Sequence, residues 1–171
     1  VSSAASDVYK RQTFIDNARI KAHAVAQALR SHGILGAWVL ADDSGLSVDA
    51  LGGSPGVHSA RYAGLGATAD ANNAKLLGEL ERLDPTGRKI FPARFTCALY
   101  FIDAFGREQS FVGICEGGVS LTTRGQHGFG YDPMFLVAGM GGKTMAELPE
   151  GEKNLLSHRR RAVDQWLKFI S

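Results

Sequence analysis

The sequence is poor in cysteine, and both cysteines lie where disulfides and metal sites are not expected. Among its 171 residues there are two, Cys97 and Cys115, each inside an apolar stretch and neither part of a CxxC pair. Two cysteines cannot build a disulfide framework or a four-ligand zinc site, so we expect buried free thiols. Free thiols are typical of a reducing compartment, and the sequence therefore predicts a cytoplasmic protein.

The sequence also lacks long hydrophobic runs and an excess of charge of one sign. The longest apolar run, residues 97–102, has the length of a strand, whereas a membrane-spanning helix needs roughly 18 apolar residues. Lys and Arg number 19 against 17 Asp and Glu, so the formal net charge is only +2. We therefore expect neither a membrane nor a nucleic acid as partner.

Glycine, in contrast, is abundant. There are 21 glycines, against about 12 expected at the average usage of about 7%. Such an excess indicates tight turns and close backbone approaches, which enzymes that handle phosphates often need. Hydrophobic residues make up 44% and charged residues 21% of the chain, so we expect one folded domain rather than a disordered chain.

The hydrophobic periodicity predicts an α/β fold with a mixed central sheet flanked by helices. Helices are expected over residues 13–31 and 68–83 and from residue 151 or 152 onward. Short strands are expected over residues 37–41 and 46–51, and an antiparallel hairpin over residues 93–103 and 108–115. Residues 13–171 then form one domain. Residues 1–12 are small and polar and follow no period, which predicts an unrelated or disordered leader.

Two adjacent carboxylates form the strongest candidate site. Asp42 and Asp43 end the first predicted strand and are followed by Ser44 and Gly45. Ligands of open α/β sheets bind at the carboxyl ends of strands, where carboxylates can hold Mg²⁺ and orient or deprotonate a water. Two other interpretations stay open, a turn capped by Asp and the Asp-Ser-Gly triplet of an aspartic protease.

Two further segments carry residues suited to ligand binding. The loop at residues 124–133 (RGQHGFGYDP) holds three glycines and two aromatic residues. Glycine lets the backbone approach a ligand and an aromatic ring can stack on a base, although the same rings would also serve to fill a core. Lys153, His158 and Arg159 lie near the start of the last predicted helix, where cations and a helix N-terminus suit an anion or a carbonyl acceptor.

Five segments, in this order, resemble the inosine triphosphate pyrophosphatase family. They are TFIDNARIKA (13–22), ADDSGLSVDALGGSPGVHSARYAG (41–64), ARFTCAL (93–99), GFGYDPMF (128–135) and AEL…EKNLLSHRRRA (146–162). The resemblance runs from Thr13 to the C-terminus. It implies a cleft between two lobes, a homodimer, and Mg²⁺-dependent hydrolysis of ITP, dITP and XTP to the monophosphate and pyrophosphate.

The resemblance also implies roles for individual residues. Asp43 matches the catalytic acidic residue that binds Mg²⁺ and activates water, with Asp42 as its partner in metal binding. Ser44 is an implied substrate contact, and so are Asn17 and Lys21 of the first helix. The implied base-recognition residues are Phe129, Gly130, Tyr131 and Asp132. The implied contacts to the base and its 6-oxo group are Lys153, His158 and Arg159.

The resemblance begins abruptly at Thr13. Family members carry a first strand, a T-x-N-x-x-K loop that grips the phosphates and a further acidic residue before this point, and residues 9–12 (YKRQ) supply no carboxylate. We expect a family member without its first strand, weak or inactive beside its full-length parent; a divergent N-terminus is the alternative. Two other functions stay open, a purine-nucleotide-binding fragment without catalysis and a dimeric aspartic protease that uses Asp43.

Overall fold

A computed structural model of the chain describes residues 12–171. Residues 1–11, most of the predicted leader, lie outside the described residues, so the expected lack of a first strand stays a prediction. The helices are α1 (Phe14–Ser31), α2 (Ala69–Leu83), α3 (Glu150–Leu156) and α4 (His158–Ile170), and the strands are β1 (Val39–Val48), β2 (Phe91–Ile102), β3 (Glu108–Val119) and β4 (Phe135–Val137). None of these four helices combines the length and the hydropathy of a membrane span.

The strands form one sheet in the order β1-β2-β3-β4. The predicted hairpin is confirmed, with Phe101 opposite Gln109 and Phe95 opposite Cys115. Helices pack on this sheet, which confirms the predicted α/β class. Every pairing in the described part of the chain is antiparallel, so the parallel pairs that a mixed sheet implies are not found there. β2 and β3 are joined by a short turn, which only antiparallel strands allow.

The first helix begins where the sequence predicts it, because a local cap fixes that end. The Thr13 hydroxyl accepts from the backbone N–H of Asp16 at 3.1 Å, and the Asp16 carboxylate accepts from the N–H of Thr13 at 3.1 Å. This reciprocal pair satisfies two N–H groups that the helix leaves free. Ala18, Ala22 and Ala26 are buried along one side of α1, and their small size lets the helix lie close to the sheet.

β1 is a single strand, which corrects the prediction of two short strands separated by an Asp42-Asp43 turn. It pairs with β2 along its length, with Asp43 opposite Ala98. This ladder takes up the backbone N–H and C=O groups of the polar segment, so a turn is not needed to satisfy them. Asp42 and Asp43 therefore lie in mid-strand and not at the carboxyl end of a strand, where the sequence analysis placed them.

The two faces of the sheet are covered by different helices. On one face, Ala26 of α1 clusters with Val39 and Ile102. On the other face, Ala162 of α4 clusters with Cys97. Both cysteines are buried and free, as predicted, and burial raises the pKa of each thiol. The largest hydrophobic cluster joins α2 to the sheet and includes Leu46, Leu76, Leu80, Phe91, Met134 and Phe135.

The C-terminal segment contains two helices where the sequence predicts one. Ser157 stands between them with extended backbone (φ −65°, ψ 147°), and its hydroxyl accepts from the N–H of Arg160 at 3.1 Å. A serine side chain that binds a backbone N–H in this way starts a new helix instead of continuing the old one. The break places Lys153 on α3 and both His158 and Arg159 in the first turn of α4.

Gly113→Ala is expected to destabilise the protein by about 2 kcal/mol, because overpacking a close contact has that typical cost. Gly113 is where β3 touches α4: an added Cβ would overlap the carbonyl oxygen of His158 and lie 2.5 Å from the backbone nitrogen of Ala162. Urea unfolding measures the change.

Gly78→Ala is the control, because Gly78 lies inside α2 with open space around it, and there alanine should stabilise by up to about 1 kcal/mol. Unchanged stability of Gly113→Ala would contradict the close approach.

Candidate functional site

A cleft of about 460 Å³ gathers most of the residues that the sequence analysis singled out. Its walls come from β1, α2, the 124–133 loop and the junction of α3 and α4. The residues predicted from sequence that line it are Ser44 of β1, Phe129, Gly130, Tyr131 and Asp132 of the loop, and Lys153, His158 and Arg159 of the two helices. A concave site of this size suits a small organic ligand.

Phe129 presents an exposed ring to the cleft, with two cations beside it. Its side chain is 66% exposed, although burial would be favourable for so large an apolar group. The Lys153 Nζ lies 5.3 Å and the Arg159 Cζ 5.4 Å from the ring centroid, within the range of cation–π attraction. An exposed ring flanked by donors offers a stacking surface for a flat ligand that carries acceptor groups.

Tyr131, in contrast, anchors the loop in the protein interior. It is buried, its hydroxyl donates to the Ser59 carbonyl oxygen at 2.8 Å, and burial raises its pKa to about 12. The interpretation that the loop aromatics fill the core therefore holds for Tyr131 and not for Phe129. Of the two aromatic residues of the loop, Phe129 alone offers a ring for stacking.

An ion pair fastens the loop to α3. The Lys153 Nζ donates to the Asp132 Oδ2 at 2.5 Å, and the two side chains are only 17% and 8% exposed. The same oxygen accepts from the backbone N–H of Phe129 at 3.1 Å. Gly128 has φ +88°, and a Cβ there would overlap both Asp132 and Lys153. The positive φ favours glycine at this position, and the absence of a Cβ leaves room for the ion pair.

His158 is buried in its neutral form. Its ring stacks on Phe95 with centroids 5.0 Å apart. Burial, and then the positive charges of Arg159 and Lys153, lower its pKa to about 3. The Arg159 guanidinium, which can only donate, lies 3.5 Å from Nε2, so Nε2 is the acceptor and Nδ1 carries the proton. Nδ1 is buried with no partner in the described part of the chain, and the residue is one of those that line the cleft.

A second group of predicted residues lies across β1 from Ser44. The Lys21 Nζ donates to Asp43 Oδ1 at 2.6 Å, and the Asn17 Nδ2 donates to Asp43 Oδ2 at 3.0 Å. The Asp43 side chain is 14% exposed and that of Lys21 54%. Asp43 is followed by the cleft residue Ser44, and consecutive Cα atoms are about 3.8 Å apart. The group therefore borders the cleft, while the Asp43 side chain faces α1. The structure thereby brings Asn17, Lys21 and Asp43 together, while their roles stay predictions.

Asp42 is not brought to Asp43, because neighbouring side chains of a strand point to opposite faces. Asp42 is exposed, and its carboxylate accepts a long hydrogen bond, at 3.4 Å, from the Ser44 hydroxyl. The Lys21 Nζ, which bonds the Asp43 carboxylate, reaches only the backbone carbonyl of Asp42, at 2.8 Å. Among the described residues no three His, Cys, Asp or Glu side chains cluster as metal ligands. Each carboxylate oxygen of Asp43 keeps a lone pair beyond its present bond, so the group fits Mg²⁺ where substrate oxygens and water complete the shell.

α2 contributes two cleft residues that the sequence analysis missed, Asn72 and Asn73. Asn72 holds a neighbouring segment, since it accepts from the Ala63 N–H at 2.7 Å and donates to the Ala60 carbonyl at 3.2 Å. Asn73 donates to the Gly130 carbonyl at 2.9 Å. Asparagine is a weak helix former. Two asparagines in succession inside a predicted helix therefore indicate that their side chains bind groups elsewhere in the fold, and this signal was present in the sequence.

Sequence and fold both match known proteins over nearly the whole chain. The model of the Ham1 family matches residues 4–169. The chain belongs to the Ham1 family. A dITP/XTP pyrophosphatase of Bacillus licheniformis is 49% identical over 152 residues, 89% of this chain and 72% of that protein. One from Bacillus subtilis is 46% identical over 159 residues, 92% of this chain and 75% of that protein.

The Ham1-family fold is confirmed by a solved structure as well. The structure of the Staphylococcus aureus Ham1 protein matches with a TM-score of 0.81 and 40% identity, over 93% of this chain and 77% of that one. The names of the matched relatives confirm the family resemblance that the five motifs carried.

His158 is expected to make this Ham1-family protein less stable in mild acid. Its pKa is about 3 in the folded state and about 6.5 in an unfolded chain. Below pH 6.5 the unfolded state takes up a proton that the folded state does not, so the free energy of unfolding should fall by up to about 1.4 kcal/mol per pH unit as the pH drops. Urea unfolding between pH 7 and 4.5 measures the slope.

His158→Phe is the matched variant, because it keeps an aromatic ring beside Phe95 and cannot titrate. Its slope should be flatter than that of the wild type. Carboxyl groups with lowered pKa values, such as Asp16 and Glu147, lose their stabilising effect mainly below this range. Identical slopes for the two proteins would contradict the buried neutral histidine.

Proposed function

We propose that the chain hydrolyses deaminated purine nucleoside triphosphates, namely ITP, dITP and XTP, to the monophosphate and pyrophosphate. The observation that carries the proposal is a cleft in which the cationic donors Lys153 and Arg159 flank an exposed aromatic ring, bordered by a carboxylate held between a lysine and an asparagine. The names of the Bacillus relatives, dITP/XTP pyrophosphatase, support it. The chain is then an enzyme that cleans the nucleotide pool.

The base end of the cleft favours a 6-oxo purine over adenine. A purine stacked on Phe129 lies among Lys153, Arg159 and the Nδ1–H of His158, all of which donate. The 6-oxo group of hypoxanthine or xanthine accepts such bonds, whereas the 6-amino group of adenine is itself a donor. A mispaired buried donor costs about 1–3 kcal/mol, so several together support strong discrimination against ATP.

The phosphate end is the group of Asn17, Lys21 and Asp43. Lys21 is about half exposed and has further N–H donors with which to bind phosphate oxygens. The Asp43 carboxylate is fixed by its two hydrogen bonds, and from there it orients a water and accepts its proton as the water oxygen attacks the α-phosphorus. The bond from the α-phosphorus to the oxygen that bridges to the β-phosphate breaks, and pyrophosphate leaves. When bound, Mg²⁺ would be held by Asp43 and would neutralise charge on the triphosphate.

The other two functions considered from sequence receive less support. An aspartic protease needs two carboxylates that share one proton, whereas Asp43 is bonded to Lys21 and Asn17. A purine-binding fragment without catalysis would need the base end of the cleft alone, and the ordered carboxylate at the phosphate end favours the enzyme.

Asp43→Asn is expected to lower pyrophosphate release from dITP at least about 100-fold, because the amide cannot accept the proton of the attacking water. The measurement is pyrophosphate release from dITP, dATP and dGTP, with and without Mg²⁺. Wild-type release that requires Mg²⁺ and is much slower with dATP would support the proposal. Binding of dITP without any release by the wild type would favour the fragment.

Asp42→Asn is the matched control, since it makes the same chemical change one residue away on the opposite face of β1. It should keep most of the activity, and its thermal midpoint and that of Asp43→Asn should stay near the wild-type value. Equal loss in the two variants would mean that both carboxylates bind the metal.

We propose in addition that the protein is cytoplasmic and a homodimer. The two free buried cysteines fit a reducing compartment. An exposed aromatic patch supports the dimer: Trp38 and Phe169, each 57% exposed, pack edge-on against Phe101 at 5.4 Å and 6.4 Å between ring centroids. Aromatic side chains exposed together are typical of protein interfaces.

Sedimentation equilibrium is expected to give the mass of two chains for the wild type. Trp38→Ser should weaken the dimer by about tenfold or more, since an aromatic anchor of an interface typically contributes at least about 1.4 kcal/mol. Leu65→Ser is the control, because Leu65 is also exposed and does not belong to the patch. A wild type that sediments as one chain at all concentrations tested would contradict the proposal.

A further inference from the structure

Asn73 reaches from α2 to the loop that carries the exposed ring. Its Nδ2 donates to the carbonyl oxygen of Gly130 at 2.9 Å, across 57 positions of sequence. The helix itself gains nothing from an asparagine at this position, because asparagine is among the weaker helix formers. The role of Asn73 has to be sought in the loop that it binds.

The two-residue segment Phe129–Gly130 is held at both ends. The N–H of Phe129 donates to Asp132 at 3.1 Å, a bond within the loop. The carbonyl of Gly130 accepts from Asn73, which fastens the segment to α2. Gly130 has φ +59° and no Cβ to restrict its rotation. The Phe129 carbonyl also accepts from the Asp132 N–H, at 3.3 Å. Because the Phe129 ring is 66% exposed, packing does little to orient it, and the direction of its Cα–Cβ bond depends on these backbone bonds, of which Asn73 supplies the one from another element.

The stability of α2 does not account for Asn73. Its Oδ1 is buried and has no partner in the described part of the chain, which disfavours the folded state. The amide cannot turn round, because Oδ1 would then face the Gly130 oxygen, another acceptor. Asn72 differs from it, since both ends of its amide are bonded to backbone groups. Asn72 is therefore explained as a structural residue, and Asn73 is not.

We propose that Asn73 is a positioning residue for purine binding: by holding the Gly130 carbonyl it keeps the Phe129 ring in the orientation that stacks on the base. The proposal rests on the proposed function and deepens it. Asn73 acts through the loop and need not touch the ligand.

Binding of dIMP by isothermal calorimetry tests the proposal without depending on catalysis. Asn73→Ala should weaken dIMP binding about tenfold, the typical effect of losing one such hydrogen bond. With dITP as substrate, its KM should rise while kcat stays within about twofold. Its thermal midpoint should be equal to or above the wild-type value, because alanine favours the helix and removes the unpaired acceptor. Asn73→Asp, which places a carboxylate against the Gly130 carbonyl, should bind dIMP at least as weakly.

Two variants separate this role from a general effect on α2. Glu81→Ala removes an exposed polar side chain from the same helix and should leave dIMP binding unchanged. Asn72→Ala should lower the thermal midpoint, since it removes two backbone partners.

A double-mutant cycle tests whether Asn73 acts through Phe129. In a Phe129→Ala background, Asn73→Ala should cause little further loss of dIMP affinity, because the ring that it orients is gone. A loss as large as in the wild type, or wild-type binding by Asn73→Ala, would overturn the positioning role. A wild type that binds dIMP but releases no pyrophosphate from dITP would count against the proposed function alone. A wild type that does not bind dIMP would overturn both.

Discussion

The pleat of β1 is the constraint on which the layout of the site depends. Because the strand runs unbroken through its polar segment, neighbouring side chains there point to opposite faces of the sheet. Asp43 is directed to the face covered by α1, where Lys21 and Asn17 bind it. Ser44 is directed to the face on which the cleft opens. The strand thus places the charged group around Asp43 and the cleft on opposite faces of the sheet, although Asp43 and Ser44 are neighbours in sequence.

The base end of the cleft depends on a different balance, that between burial and charge. Lys153 is neutralised by Asp132, so the pair can lie mostly buried without a large desolvation penalty. His158 has no such partner and is held neutral by burial and by the cations near it. The Arg159 guanidinium can only donate, so the neutral His158 ring accepts at Nε2 and carries its proton on Nδ1. The cleft is therefore lined by hydrogen-bond donors of fixed position, an arrangement that suits a ligand with a carbonyl group.

Much of the fold follows from local signals. The cap of α1 was predictable because Thr13 and Asp16 are three residues apart, and the hairpin because β2 and β3 adjoin a short turn. Local reasoning failed where distant groups decide. The polar Asp42-Asp43 pair is typical of a turn, yet the ladder with β2 satisfies its backbone and keeps it extended. Ser157 breaks the last helix because its side chain caps a second one.

The sequence by itself determined which residue types the site contains, because the five motifs and their order identify the family independently of any contact. The tertiary structure alone decided where the side chains of those residues point and which of them are buried. It directs the side chains of Asp42 and Asp43 to opposite faces, buries Tyr131 while exposing Phe129, and bonds Asn73 to the loop that carries Phe129. Burial, side-chain direction and a shifted pKa all depend on groups that lie far apart in sequence. Such groups meet only when the sheet and helices pack together, so no local pattern encodes them.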